Sequence, residues 1–122
     1  MAKRVLVIED TEDNRQIIRD LLTSFDYELI EAVDGAEGVA MAESHRPDLI
    51  LMDIQLPIID GYEATRRIRA IPELARVPIV AVTSYALSGD EAKTREAGCD
   101  GYIAKPFSPR QLLAKVREFL PE

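Results

Sequence analysis

At 122 residues, with 47% hydrophobic and 30% charged positions, the chain has the length and apolar content of one folded domain and no compositional bias toward disorder. Apolar runs such as Val77–Val82 stop far short of the ~20 residues that cross a bilayer, the start reads as a strand and not as a signal peptide, and a single cysteine, Cys99, excludes an internal disulfide or thiolate metal cluster, so a cytoplasmic protein is expected. Twenty-two acidic against 15 basic residues give a net charge of −7, and with no Lys/Arg stripe to neutralise phosphates, direct nucleic-acid binding is not expected.

The first predicted strand is Arg4–Ile8, whose VLVI run is apolar without alternation, as in a parallel strand covered on both faces. It ends in Glu9 and Asp10. The helix that follows carries Ile17, Ile18, Leu21, Leu22 and Phe25 at core-facing spacing. Tyr27–Glu31 is a more mixed strand and suits a sheet edge. Asp34, three residues before Glu37, places an oxygen acceptor where a second helix can start. Leu49–Met52 is the third strand, with Asp53 directly after it, and Asp60 with Glu63 repeats the capping pattern for a third helix. Ile79–Val82 is the fourth strand and runs into Thr83 and Ser84. Ser88 with Glu91 starts a fourth helix, which Gly98 stops. Tyr102–Ala104, followed by Lys105 and Pro106, is the fifth strand, and Ser108 before Pro109 opens the last helix. Five strands alternating with five helices through short connections predict an α/β fold with a parallel sheet, in one domain spanning residues 1–122.

Ligands of an open parallel sheet collect outside the carboxyl ends of its strands, so the residues after each apolar run carry the functional information. Here they are Glu9 and Asp10, Asp53, Thr83 and Ser84, and Lys105 and Pro106. If the first and third strands are neighbours, three carboxylates share a small volume and repel by several kcal/mol at a dielectric of about 20. A divalent cation resolves that conflict. Few hard oxygen ligands with room for water suit Mg²⁺ better than Ca²⁺, and the lack of clustered His and Cys argues against zinc. Any one of these acids taken alone reads more simply as a helix cap or a solvated loop end. Asp53 follows the most apolar strand, which fixes its carboxylate as a nucleophile toward phosphorus, with Lys105 and Thr83 available to bind phosphoryl oxygens. For Thr83 a role as strand former or local cap remains open, and for Lys105 that of an exposed lysine.

The acid pair Glu9 and Asp10, the run LILMDIQLP with Asp53, Gly61, the Thr83–Ser84 step and the Lys105–Pro106 pair together resemble the CheY-like receiver domain of two-component response regulators, from Lys3 to about Leu120. Within that family DLILMDIQLP, PIVAVTSYALSGDE and GCDGYIAKPFS look most like stand-alone regulators of the DivK type, and receivers attached to hybrid histidine kinases can look alike. The resemblance implies a flavodoxin-like (βα)5 three-layer sandwich with strand order 2-1-3-4-5. It implies Mg²⁺ held by Asp10 and Asp53, by Glu9 through water and by the backbone carbonyl of Gln55, with Asp53 as the phosphoacceptor and a cis bond before Pro106. The base rate for an X-Pro bond alone favours trans. It further implies that phosphorylation draws in Thr83 and then Tyr102, changing the face of the fourth helix, fifth strand and fifth helix; a plain edge-strand aromatic is the other reading of Tyr102. Gln55 and Tyr85 would flank the phosphoryl group and tune its lifetime. The donor would be a sensor histidine kinase or histidine phosphotransferase docking around Thr11, Asn14 and Ile18, since the chain offers only His45 and no nucleotide-cradling glycine loop. Output would pass to a downstream protein target, from a monomer or a phosphorylation-dependent dimer, or the chain would serve as a relay carrier.

Three rivals share parts of this pattern. A phosphatase with an aspartate nucleophile needs a second acid two residues on, where this chain has Gln55. A flavin carrier needs a Ser/Thr/Gly-rich phosphate loop after the first strand, where this chain reads EDTEDN. A receiver that only binds partners would not need the full set of site residues. The expectation is therefore a phosphoacceptor signalling protein that assists its own phosphorylation and dephosphorylation, and not an enzyme.

Overall fold

Five parallel strands form one sheet in the order β2-β1-β3-β4-β5: β1 (Arg4–Ile8), β2 (Glu28–Ala32), β3 (Leu49–Asp53), β4 (Ile79–Thr83) and β5 (Gly101–Ala104). The computed structural model describes residues 2–83 and 90–121, without the side chains of residues 90 and 91. The expected Ser88–Glu91 cap, Ser84 and Tyr85 therefore lie outside the described residues. Helices α1 (Glu12–Ser24), α2 (Gly35–His45), α3 (Gly61–Arg69), α4 (Asp90–Ala97) and α5 (Pro109–Phe119) connect the strands, with a 3-10 turn at Pro72–Leu74. The arrangement is the flavodoxin-like one, with helices on both faces of the sheet.

Alternation along the strands divides the core in two. Leu6, Ile8, Ile50, Met52, Ile79 and Ala81 pack beneath α2 and α3 with Ala42, Ala64 and Ile68. Val5, Val7, Leu49, Leu51, Val80 and Val82 pack beneath α1 and α5 with Ile18, Leu22, Leu112 and Val116. Both faces of β1, β3 and β4 are covered, which is why their sequences read as unbroken apolar runs.

Helix starts follow the capping chemistry. Asp34 accepts from the Glu37 amide at 2.7 Å and Asp60 from the Glu63 amide at 2.9 Å. Ser108 and Gln111 form a reciprocal capping box ahead of α5. Gly98, at φ +113, ends α4 in the left-handed region that glycine enters without steric cost.

Two expectations need correction. Ile17 is 54% exposed and Phe25 also lies mostly outside the core, although both were expected to face it. The buried stripe of α1 is Ile18 and Leu22, flanked by Leu21; Ile17 sits one step around the helix from it. Phe25 is already the C-cap, where the backbone leaves the helix, and its ring lies under the Arg117 guanidinium at 5.1 Å. The second strand starts one residue later than predicted because the Tyr27 amide is used by the Leu22 carbonyl, closing α1, while Ala32 joins the ladder opposite Ile8.

Candidate functional site

The sheet order makes β1 and β3 direct neighbours, with Ile8 opposite Met52, so the residues ending the two strands emerge side by side. Asp53 is the last paired residue of β3, opposite Val82, and Thr83 is the last of β4, opposite Ala104. Both were expected just beyond their strands. Their place inside the ladder fixes their backbones more firmly than a loop would. Gly61 completes the seat: its amide donates to the Ile54 carbonyl at 2.9 Å, and a Cβ there would run into the Asp53 carbonyl oxygen and the Ile54 Cα. Only a residue without a side chain lets α3 begin that close to Asp53.

Carboxylate oxygens of Glu9, Asp10 and Asp53 lie within 4.8 Å of one another. Glu9 and Asp53 are 3% and 4% exposed, whereas Asp10 opens to solvent. Lys105 faces the buried pair, with Nζ 3.0 Å from Glu9 Oε1 and 3.2 Å from Asp53 Oδ2. Its own amide donates to the Thr83 carbonyl at 2.7 Å, tying the loop after β5 to the end of β4, and the Lys105–Pro106 bond is cis. The remaining oxygens of the buried acids are also engaged. Asp53 Oδ1 accepts from the Gln55 amide at 3.0 Å, and Glu9 Oε2 from the Thr11 amide at 3.2 Å and Asn14 Nδ2 at 3.4 Å.

One ammonium between two buried carboxylates leaves an unbalanced negative charge. Burial and the neighbouring Glu9 push the Asp53 carboxyl up to about 6, against the Gln55 amide and Lys105, which favour its ionised form. Glu9 moves the other way. Burial opposes its charge, but the hydrogen bond and charge of Lys105 prevail and hold it below the ordinary carboxylate range. Lys105 is held above the ordinary lysine range: burial opposes its charge, and Glu9 and Asp53 outweigh it. A second cation beside Asp53 would relieve the excess. Three hard oxygen donors, one of them solvent-facing so that water can fill other positions, fit Mg²⁺.

Of the residues expected around this centre, Gln55 and Thr11 are adjacent through their amides, and Asn14 through its side chain. Thr83 is fully buried at the end of β4. Tyr102, on β5, lines a cleft of about 240 Å³ with Thr94 and Arg95 of α4 and Lys115 and Phe119 of α5. Ile18 is 2% exposed and packs mostly into the core, and with the exposed Ile17 it lines a cleft of about 500 Å³ together with Glu9, Asn14, Lys105, Pro106 and Phe107. His45 ends α2 at the opposite, amino-terminal end of the strands, where its carbonyl accepts from Arg4.

Sequence reasoning passed over Arg15. Its Nη1 donates to the Glu9 carbonyl oxygen at 2.7 Å, and no local pattern distinguishes it from a solvated helix arginine.

Similarity to known proteins agrees with the geometry. The chain is 42% identical over 120 residues to the polar-differentiation response regulator DivK of Brucella anthropi, covering 98% of each chain. It superposes with a TM-score of 0.92, at 39% identity and full coverage of both chains, on the receiver domain of the sensor histidine kinase PA1611 of Pseudomonas aeruginosa, a structure with magnesium coordinated in its active-site cleft. The chemotaxis response regulator CheY4 of Vibrio cholerae superposes with a TM-score of 0.93 at 28% identity, over 98% of this chain and 99% of that one. Residues 5–117 match the response regulator receiver domain, and with strand order, acid cluster and relatives in agreement, the chain belongs to that family of two-component signalling domains.

Proposed function

We propose that this chain works as a single-domain response regulator that accepts a phosphoryl group onto Asp53 from a phosphohistidine on a sensor kinase or histidine phosphotransferase. The observation that carries the reading is the convergence of Glu9, Asp10 and Asp53 within 4.8 Å, with Lys105 Nζ 3.2 Å from Asp53. Bound Mg²⁺ would neutralise the acids and the incoming phosphoryl oxygens. Glu9, Asp10, Asp53 and the Gln55 carbonyl are its proposed ligands.

The transfer is a displacement at phosphorus. An Asp53 carboxylate oxygen forms the new P–O bond while the P–N bond breaks, its electron pair staying on the ring nitrogen, so that the imidazole leaves neutral when its other nitrogen carries a proton and otherwise takes one from water. Rigid placement at the end of β3 orients the nucleophile, and the Lys105 ammonium and the Thr83 hydroxyl receive phosphoryl oxygens. His45, remote from the acids, is no internal donor, so a partner must bring the phosphohistidine. We place its docking at Thr11, Asn14 and Ile18, with the exposed Ile17 beside them, at the cleft of about 500 Å³ that opens onto Glu9 and Lys105. The acceptor's new charge would then be read through Thr83 and Tyr102 on the face of α4, β5 and α5, with Gln55 and Tyr85 governing how water reaches the phosphoryl group. Gln55 carries no carboxyl for proton transfer, which disfavours turnover of external phosphate esters.

Treatment with acetyl phosphate in Mg²⁺, followed by intact-mass spectrometry, tests the reading. One added phosphoryl group is expected, absent without the metal and absent in Asp53→Ala. A modification that survives Asp53→Ala would place the acceptor elsewhere and overturn it.

A further inference from the structure

Glu9 and Asp10 sit on the turn between β1 and α1, so any cation shared with Asp53 depends on how firmly that turn is held. Its hydrogen bonds come from two directions. The Glu9 amide donates to the Ala32 carbonyl of β2 at 3.0 Å, and the Glu9 carbonyl accepts from Arg15 Nη1 at 2.7 Å. Arg15 is itself over-determined: Nη2 meets Glu12 Oε1 at 2.6 Å and Nε meets Glu31 Oε1 at 3.2 Å, and its side chain is only 11% exposed. The guanidinium therefore spans the acid turn, the first turn of α1 and the edge strand β2 with one rigid planar group.

We infer that Arg15 is a positioning residue for the metal centre, holding the Glu9–Asp10 turn at the separation from Asp53 that a small divalent ion requires. The inference rests on the reading that these acids bind Mg²⁺. Small octahedral Mg²⁺ tolerates little error in ligand placement, and partners one shell out from metal ligands typically change affinity by about 10- to 100-fold. Arg15 reaches no carboxylate of the cluster among the described contacts; its hold is on the Glu9 backbone.

Sign separates this role from simple electrostatics. Arg15 is a cation near a cation site, so by Coulomb's law its removal should strengthen Mg²⁺ binding. Loss of positioning should weaken it. Titration calorimetry with MgCl₂ on the full chain, at neutral pH and well below the unfolding midpoint, reads the difference directly. Arg15→Met should bind Mg²⁺ about tenfold more weakly than the wild type. Arg15→Lys, which keeps the charge and the stem but cannot reach three acceptors, should be weakened as well. Arg19→Met removes the same charge from the same cluster without touching Glu9, and should not be weakened. With saturating Mg²⁺, the rate of phosphorylation by acetyl phosphate should return to near the wild-type value in both Arg15 variants, as a pure affinity defect requires.

Unchanged or tighter binding in Arg15→Met, wild-type affinity in Arg15→Lys, or equal weakening in Arg19→Met would each overturn the inference while leaving the metal site intact. Absence of Mg²⁺ binding by the wild type would instead overturn the proposed function along with it.

Discussion

Ile58 occupies a backbone conformation that its side chain resists. Its φ is +75, in the left-handed region, where a side chain costs ~1–2 kcal/mol and a β-branched one is an outlier. The turn from β3 into α3 imposes this, because the chain must reverse sharply enough for the Gly61 amide to reach the Ile54 carbonyl. Burial does not compensate, since Ile58 is 77% exposed. Asparagine enters the same region at lower cost by bonding locally with its short side chain. Ile58→Asn should therefore stabilise the fold by about 1 kcal/mol, seen as a higher urea midpoint at unchanged slope. A midpoint equal to or below that of the wild type would show that the isoleucine makes contacts worth its strain.

Between elements, ion pairs add to the apolar packing that ties α1 to β2. Arg19 grips Glu31 with two bonds, Nε to Oε2 at 2.7 Å and Nη2 to Oε1 at 2.8 Å, and Arg15 adds a third contact. Hydrogen bonding from Arg19 comes first among the influences that hold Glu31 below the ordinary glutamate value of 4.5. A depressed carboxyl stabilises the fold above its unfolded value and loses that contribution as pH falls through its folded value. Glu31→Gln should cost about 1 kcal/mol at pH 7 once solvent screening of this partly exposed cluster is counted. The gap between variant and wild type should close as the pH drops below 4.5 in chemical-denaturation curves. A gap independent of pH would assign the loss to packing.

The same helix and strand show how far sequence reaches. Strands covered on both faces announce themselves by unbroken apolar runs, and caps by an acceptor three residues ahead of a carboxylate or amide, so element order and type were readable. Glu9, Asp10, Asp53 and Lys105 were readable too, because strand ends in a parallel sheet converge by topology. The limits of the α1 core stripe were not, since Ile17 and Ile18 differ only by one step around the helix and only packing decides which is inside. Arg15 was hidden for a stronger reason: its acceptor Glu31 lies on another element, and its hold on Glu9 is to a backbone atom that every residue possesses.

Across the whole molecule, the two apolar clusters fasten the strands from both faces and leave their carboxyl ends no freedom to spread apart when like charges meet there. The fold therefore bears the repulsion between Glu9 and Asp53, with Lys105 offsetting part of it. Buried charge without full compensation destabilises a fold, and removing it commonly stabilises one. In metal-free buffer at neutral pH, Asp53→Asn keeps the volume of the side chain and one acceptor oxygen for the Gln55 amide, exchanges the other oxygen for an NH2 donor and deletes one of the two buried negative charges, and it should raise unfolding stability by about 1–2 kcal/mol. Mg²⁺ should then separate the two proteins in the opposite direction. Binding only the folded wild type, it stabilises by RT ln(1 + [Mg²⁺]/Kd), whereas the variant has lost a ligand charge and should respond weakly. Thermal unfolding across a MgCl₂ series is expected to show the wild type starting lower and climbing toward or past the variant. Parallel curves for the two, or a wild type that starts higher without metal, would mean that the acids are already balanced within the protein and that the fold is not poised for a cation.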